Sequence, residues 1–166
     1  VSREQIEKGQ AFTVKYIAED VIDSPLNNGA SDVDSWWNEN KSKFDPAWHD
    51  AIRKDFVDAD GPVVRNQWQK DLTEYEYNYV YSPNETRISD RNIKVNEVYY
   101  SDRGMLVFKT NYDYTAKVPT PNGIGYEKIS GDYVVGLTPS DKNDSGWVIS
   151  HYSSKYDVTD FINPVK

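Results

Sequence analysis

The side chains from which this 166-residue chain could build chemistry are two histidines, a few acids in alternating segments and a surplus of tyrosine. His151 lies in an alternating segment that opens at Trp147, and simple alternation sets it on one face with Trp147 and Ile149. An imidazole titrates near neutrality, so at the floor of a pocket it could serve as a general base. Glu97 shares a face with Ile93, Val95 and Tyr99 by the same rule. It is the one strand acid expected to point inward, since Asp113 and Asp132 alternate to the opposite side. The simpler reading of His151 is a hydrogen-bonded structural histidine. His49 falls off the stripe formed by Trp48, Ala51, Ile52 and Phe56 and is expected in solvent. The pocket candidates are therefore His151, Glu97, Tyr112, Tyr133 and Trp48.

Other chemistries lack their residues. There is no Cys, the two histidines are far apart, and no His-x-x-x-His spacing occurs, so no metal ligand is assigned. Asp141-Lys142-Asn143-Asp144-Ser145-Gly146 opens like a calcium loop, but the position due a bidentate carboxylate holds Tyr152. An Asn- and Asp-rich turn is the better account. No nucleophile elbow, phosphate loop or dinucleotide fingerprint appears, so no cofactor is implied and no catalytic residue is assigned.

Tyrosine is the oddest feature. Residues 74–82 alternate strictly, with Tyr75, Tyr77, Tyr79 and Tyr81 on one face. That ladder either packs across strands or, left exposed, offers a hydrogen-bonding aromatic surface to a partner protein. Trp36-Trp37 poses the same question. A helix can turn only one of two neighbours fully inward, which makes Trp37 a further interface candidate.

The elements that position these residues divide into two kinds. Ser2-Arg3-Glu4-Gln5 reads as a capping box, followed by a helix to about Asp23. A second short helix starts at Ser31 or Asp32, and Asp45-Pro46 opens a third that stops near Asp60. The period then falls to two. Strands are predicted over residues 74–82, 93–100, 105–118, 126–138 and 147–156, with turns at 101–104 and 119–123. Leu106, Phe108, Tyr112, Tyr114, Ala116 and Val118 share one face, as do Ile129, Tyr133, Val135 and Leu137. Residues 63–71 could be strand or helical turn. The prediction is α+β: N-terminal helices packed on a curved antiparallel sheet, in a single domain over residues 1–166.

Charge narrows the partners. The net charge is -8, and the first sixty residues, with 13 acids against 7 bases, supply -6 of it. Such a surface repels phosphate backbones, so nucleic-acid binding is not expected. No stretch approaches the roughly 20 apolar residues that span a bilayer, so this segment is not expected to insert in one. The start at Val1 suggests a signal or membrane anchor upstream. Two Asn-x-Ser/Thr sequons, at Asn84 and Asn143, matter only in a eukaryotic secretory host.

Three helices, a meander of long strands and the closing Gly146-Trp147-Val148-Ile149 strand resemble the nuclear-transport-factor-2-like superfamily, over most of the chain from Ser2 to Tyr156. The resemblance implies a cone-shaped α+β fold with a pocket between helices and sheet, and dimers through the sheet's outer face. It does not imply one activity, because the superfamily spans isomerases, cyclases and non-catalytic assembly domains. Its isomerase and cyclase members need a carboxylate at the pocket floor, which here only Glu97 could supply. The acidic, Cys-free chain best resembles the extracytoplasmic members found in conjugation and type IV secretion assembly. The expectation is a non-enzymatic, extracytoplasmic protein-interaction domain of a bacterial membrane-anchored or exported protein, joined to a protein partner or to itself. The alternative is a small-molecule carrier, or an isomerase or lyase, using His151 and Glu97.

Overall fold

A computed structural model describes residues 1–23, 33–58, 88–120 and 122–163. Helix α1 (Arg3–Tyr16) starts at the predicted capping box: Gln5 N–H donates to the Ser2 hydroxyl at 3.1 Å, and Ser2 N–H donates to Gln5 Oε1 at 2.7 Å. Those two bonds satisfy amides that have no partner inside the helix. The helix continues as a π-helical turn, Ile17–Ile22, whose wider turn buries Ile17, Asp20 and Ile22 beside Tyr16. Helix α2 (Val33–Asn40) and helix α3 (His49–Asp58) follow, joined through 3-10 turns at Lys41–Lys43 and Pro46–Trp48. Asp45 caps the second of these turns by accepting from Ala47 N–H at 3.0 Å.

That 3-10 turn corrects the predicted stripe. Three residues per turn instead of 3.6 rotate the side chains that follow. Trp48 faces solvent at 54% exposure, while His49 turns half inward and its Nε2–H donates to the Phe44 carbonyl at 2.9 Å. Ile52 keeps its inward place.

The sheet is an antiparallel meander in the order β1-β2-β3-β4: β1 (Ile88–Tyr100), β2 (Leu106–Thr120), β3 (Gly123–Pro139) and β4 (Trp147–Ile162). The architecture is α+β. Gly104, at φ +76°, makes the turn between β1 and β2 as predicted. The predicted loop at 119–123 is shorter than expected, because the β2–β3 ladder runs out to Thr120 opposite Gly123. The tyrosine ladder at 75–81 and the ambiguous stretch at 63–71 lie outside the described residues.

Helices and sheet meet on one face. Leu106, Phe108, Tyr112, Ile129, Tyr133, Val135, Leu137, Trp147 and Ile149 rise from it to pack with Tyr16, Ile17, Trp36, Trp37 and Phe44. Each such side chain, fully buried, contributes on the order of 1.5–3 kcal/mol. Helix α1 sits close because residue 9 is glycine: a Cβ there would lie 3.3 Å from both Leu106 and Trp147. The Trp147 indole then donates to the Gln5 carbonyl at 2.9 Å, pinning the helix to β4. Both tryptophans of the pair are buried, at 4% and 5% exposure, so Trp37 is not the outward member expected. Helix α2 is covered on two sides: Trp37 stacks on Phe44 and meets His49 edge-on, while Trp36 lies beside Asp20 of the π-turn.

Candidate functional site

The described residues offer three places where chemistry could sit. The first is a polar thread inside the core. The Tyr16 and Tyr133 hydroxyls share a 2.7 Å hydrogen bond between α1 and β3. The Tyr133 ring stacks on Tyr152, whose hydroxyl donates to Asp55 of α3 at 2.6 Å. Burial pushes all three phenols well above their usual range; beside Tyr152 the Asp55 carboxylate adds to the shift. Nearby, burial raises the Asp20 carboxyl, opposed by the Lys43 ammonium at 2.6 Å and the Trp36 indole. The thread is sealed at its inner end, while Tyr152 is half-buried and Asp55 is exposed. Tyr16 and Tyr133 are 1% and 3% exposed, and the Phe44 ring closes on Tyr16 edge-on at 5.7 Å. What the arrangement does is join helices to sheet through neutral phenols. Tyr133, a predicted pocket residue, is on the inner face as expected, yet it is enclosed by rings. So is Tyr112, which lies over Gly131 at 6% exposure.

The second place is where His151 and Glu97 were expected, and there the prediction of facing is corrected. Both sit just past a β-bulge, and one extra residue moves every later side chain to the other side of a sheet. On β4, Ile149 pairs with Leu137 but His151 pairs with Gly136, so Ser150 is the extra residue. His151 therefore leaves the inner face and is exposed; a Cβ built on Gly136 would lie 3.3 Å from its own. Tyr152 takes the inward position. On β1, Val95 pairs with Thr110 but Glu97 pairs with Lys109, making Asn96 the extra residue. Glu97 then lies outside, in a 3.5 Å ion pair with Lys109, whose ammonium also covers Tyr99 at 5.4 Å. The imidazole and the carboxylate are thus brought to the outer face, on opposite edge strands, and never to a common floor.

The third place is the outer face itself. An open basin of about 600 Å³ crosses all four strands. One row of register partners in it runs Lys94, Asn111, Asp132, Lys155; the next runs Asn92, Asp113, Ser130, Asp157. Asn92 donates to Asp113 at 2.9 Å. The two acids that alternation put outward, Asp113 and Asp132, are exposed here as expected. In the Asn- and Asp-rich turn, Asn143 is spent on structure, donating to the Ser42 and Trp147 carbonyls and accepting from Ser145.

Beside the basin, β4 runs out as an edge. Its first half is covered: Phe44 bridges Ile149 in parallel, Asp45 N–H donates to the Ile149 carbonyl at 2.9 Å, and Ser150 donates to Asp45. Past Tyr152 no described strand pairs with it. All ten residues 153–162 are exposed, among them Tyr156, Val158, Phe161 and Ile162 at 67, 50, 42 and 45%. The sequence hid this edge because residues 153–162 mix serine, charge and aromatic residues without clean alternation. Asp20, Tyr16, Tyr152 and Asp55 were missed because only the fold brings them together.

Comparison with family models, with curated proteins and with solved structures finds no match for this chain. Among the described residues no helix is long and apolar enough to cross a membrane.

Proposed function

We propose that this chain is a non-enzymatic protein-interaction domain of the nuclear-transport-factor-2-like kind, placed outside the cytoplasm of a bacterium in an envelope or conjugation assembly. The edge of β4, with which no described strand pairs past Tyr152, is its recognition surface. The observation that carries the reading is the run of ten exposed residues, 153–162, on an edge strand that keeps four large apolar side chains in water. Soluble proteins ordinarily cover or blunt such an edge, and a bare one offers unpaired backbone groups to another chain. The order of helices before an antiparallel meander supports the fold kinship. The acidic, Cys-free composition supports the location. The test is a photo-cross-linking residue placed at Tyr156 and, as a control, at exposed Glu39 of α2, in the native host. A discrete protein adduct from position 156 and none from 39 is expected. No adduct from 156, or the same adducts from both, would reject the proposal.

A second reading keeps the alternative of a small-molecule site but moves it to the outer basin, whose volume falls in the ~300–1,000 Å³ range of ligand sites. Its lining of Asp, Asn and Lys suits a polar, hydroxyl-rich ligand. Saturable binding from a panel of sugars, lost on Asp132→Ala, would support it, and no binding by any of them would remove it.

A further inference from the structure

We infer that the partner of the β4 edge is a second copy of this chain, paired antiparallel about a two-fold axis at Tyr156. The inference rests on the reading of that edge as a recognition surface and adds what occupies it. The window is set by the strand's own irregularities. Bulges at Ser150 and Thr159 interrupt β4, and between them residues 151–158 pair regularly with β3. A regular strand without a neighbour is what edge-to-edge pairing requires, and residues 153–158 are regular, exposed and without a described strand on that side.

Charge selects the register. In a symmetric antiparallel pair, centring on Lys155, Asp157 or Asp160 sets like charges directly opposite, which is unfavourable. Centring on Val158 or Thr159 leaves every charge facing a neutral residue. Centring on Tyr156 sets Lys155 opposite Asp157 of the second copy, twice per dimer. Both side chains stand on the outer face, because their β3 partners are Asp132 and Ser130. Lys155 then sits between Asp132 of its own chain and Asp157 of the other, so charge alternates along the row. On the inner face the two Tyr156 rings meet over the axis, and Ser154 faces Val158. The four described strands of each copy join in one continuous sheet, and the two outer basins join into one trough.

A contact over the five residues 154–158 is small beside the roughly 800 Å² per partner of a standard interface, so the dimer forms with rising concentration. Light scattering on the full chain is expected to show its mass rising from 19.1 kDa toward twice that value. Lys155→Asp alone and Asp157→Lys alone each place like charges opposite and weaken the dimer on the order of tenfold or more. The double variant Lys155→Asp/Asp157→Lys restores it. Mixing the two single variants produces a heterodimer that neither forms alone, a result particular to this register. A wild-type chain that stays monomeric to millimolar concentration, or a dimer indifferent to these changes, overturns the inference. A cross-link from position 156 to some other protein and never to a second copy would overturn it too, while leaving the edge as a recognition surface intact.

Discussion

The Tyr16–Tyr133 pair gives the sharpest test of a filled, water-free interior. Replacing Tyr133 by Phe keeps the ring, its packing against Tyr152 and the Thr110 hydrogen bond to the Tyr133 carbonyl at 2.8 Å. It removes only the hydroxyl that meets Tyr16 at 2.7 Å. At 1% exposure Tyr16 cannot turn to bulk water. The cost is then the net hydrogen bond, about 0.5–1.5 kcal/mol, with the penalty of an unsatisfied buried hydroxyl bringing it to about 1–3 kcal/mol. Tyr16→Phe costs a similar amount for the same reason. With both hydroxyls gone nothing polar is left stranded, so the double variant costs no more than either single one. Urea unfolding of the four proteins reads this as a coupling energy of at least about 1–3 kcal/mol, the cost of one single variant. Additive losses, or singles that cost nothing, would show that water reaches the pair, and the picture of a sealed thread would be wrong.

Other consequences can be checked separately. Burial raises the folded-state pKa of Asp20 above its unfolded value, so the folded protein holds that proton more tightly. Relative to Asp20→Asn, wild-type stability is therefore highest in acid and declines as pH rises through the carboxylate range, read as the difference in Tm between the two proteins. An unchanging difference would count against a buried Asp20. Tyr112 is raised by burial to about 12, and Tyr16, Tyr133 and Tyr152 are raised as well, so an ultraviolet titration should find these four ionising late, as the protein unfolds in alkali; their ionisation with the exposed tyrosines would contradict it. Gly131→Ala should destabilise by about 1–3 kcal/mol, because its Cβ would overlap the Tyr112 ring, and a neutral or stabilising result would mean that ring is elsewhere.

Much of the framework is legible in the residues. The capping box at Ser2, the Asp45-Pro46 start and the Gly104 turn are local signals, each fixed by a few neighbouring side chains. The inward set on β3, Ile129 to Leu137, also follows from alternation because that strand runs without an extra residue there. The candidate site did not follow, and the reason is specific. Bulges at Asn96 and Ser150 reverse the phase of alternation just before Glu97 and His151, and a bulge leaves no clear signature when the inserted residue is polar. The 3-10 turn at Pro46–Trp48 moved Trp48 outward by the same kind of phase error. Pairs such as Tyr16 with Tyr133, 117 residues apart, belong to tertiary structure and not to pattern.

Amide hydrogen exchange in dilute protein tests the bare edge most directly. Alternate amides over residues 153–158 should exchange nearly as fast as an open chain, while those of Tyr133, Val135 and Leu137 in the centre of the sheet stay protected. Uniform protection along β4 in the dilute monomer would mean that the edge is already covered, and the proposed recognition surface would not exist.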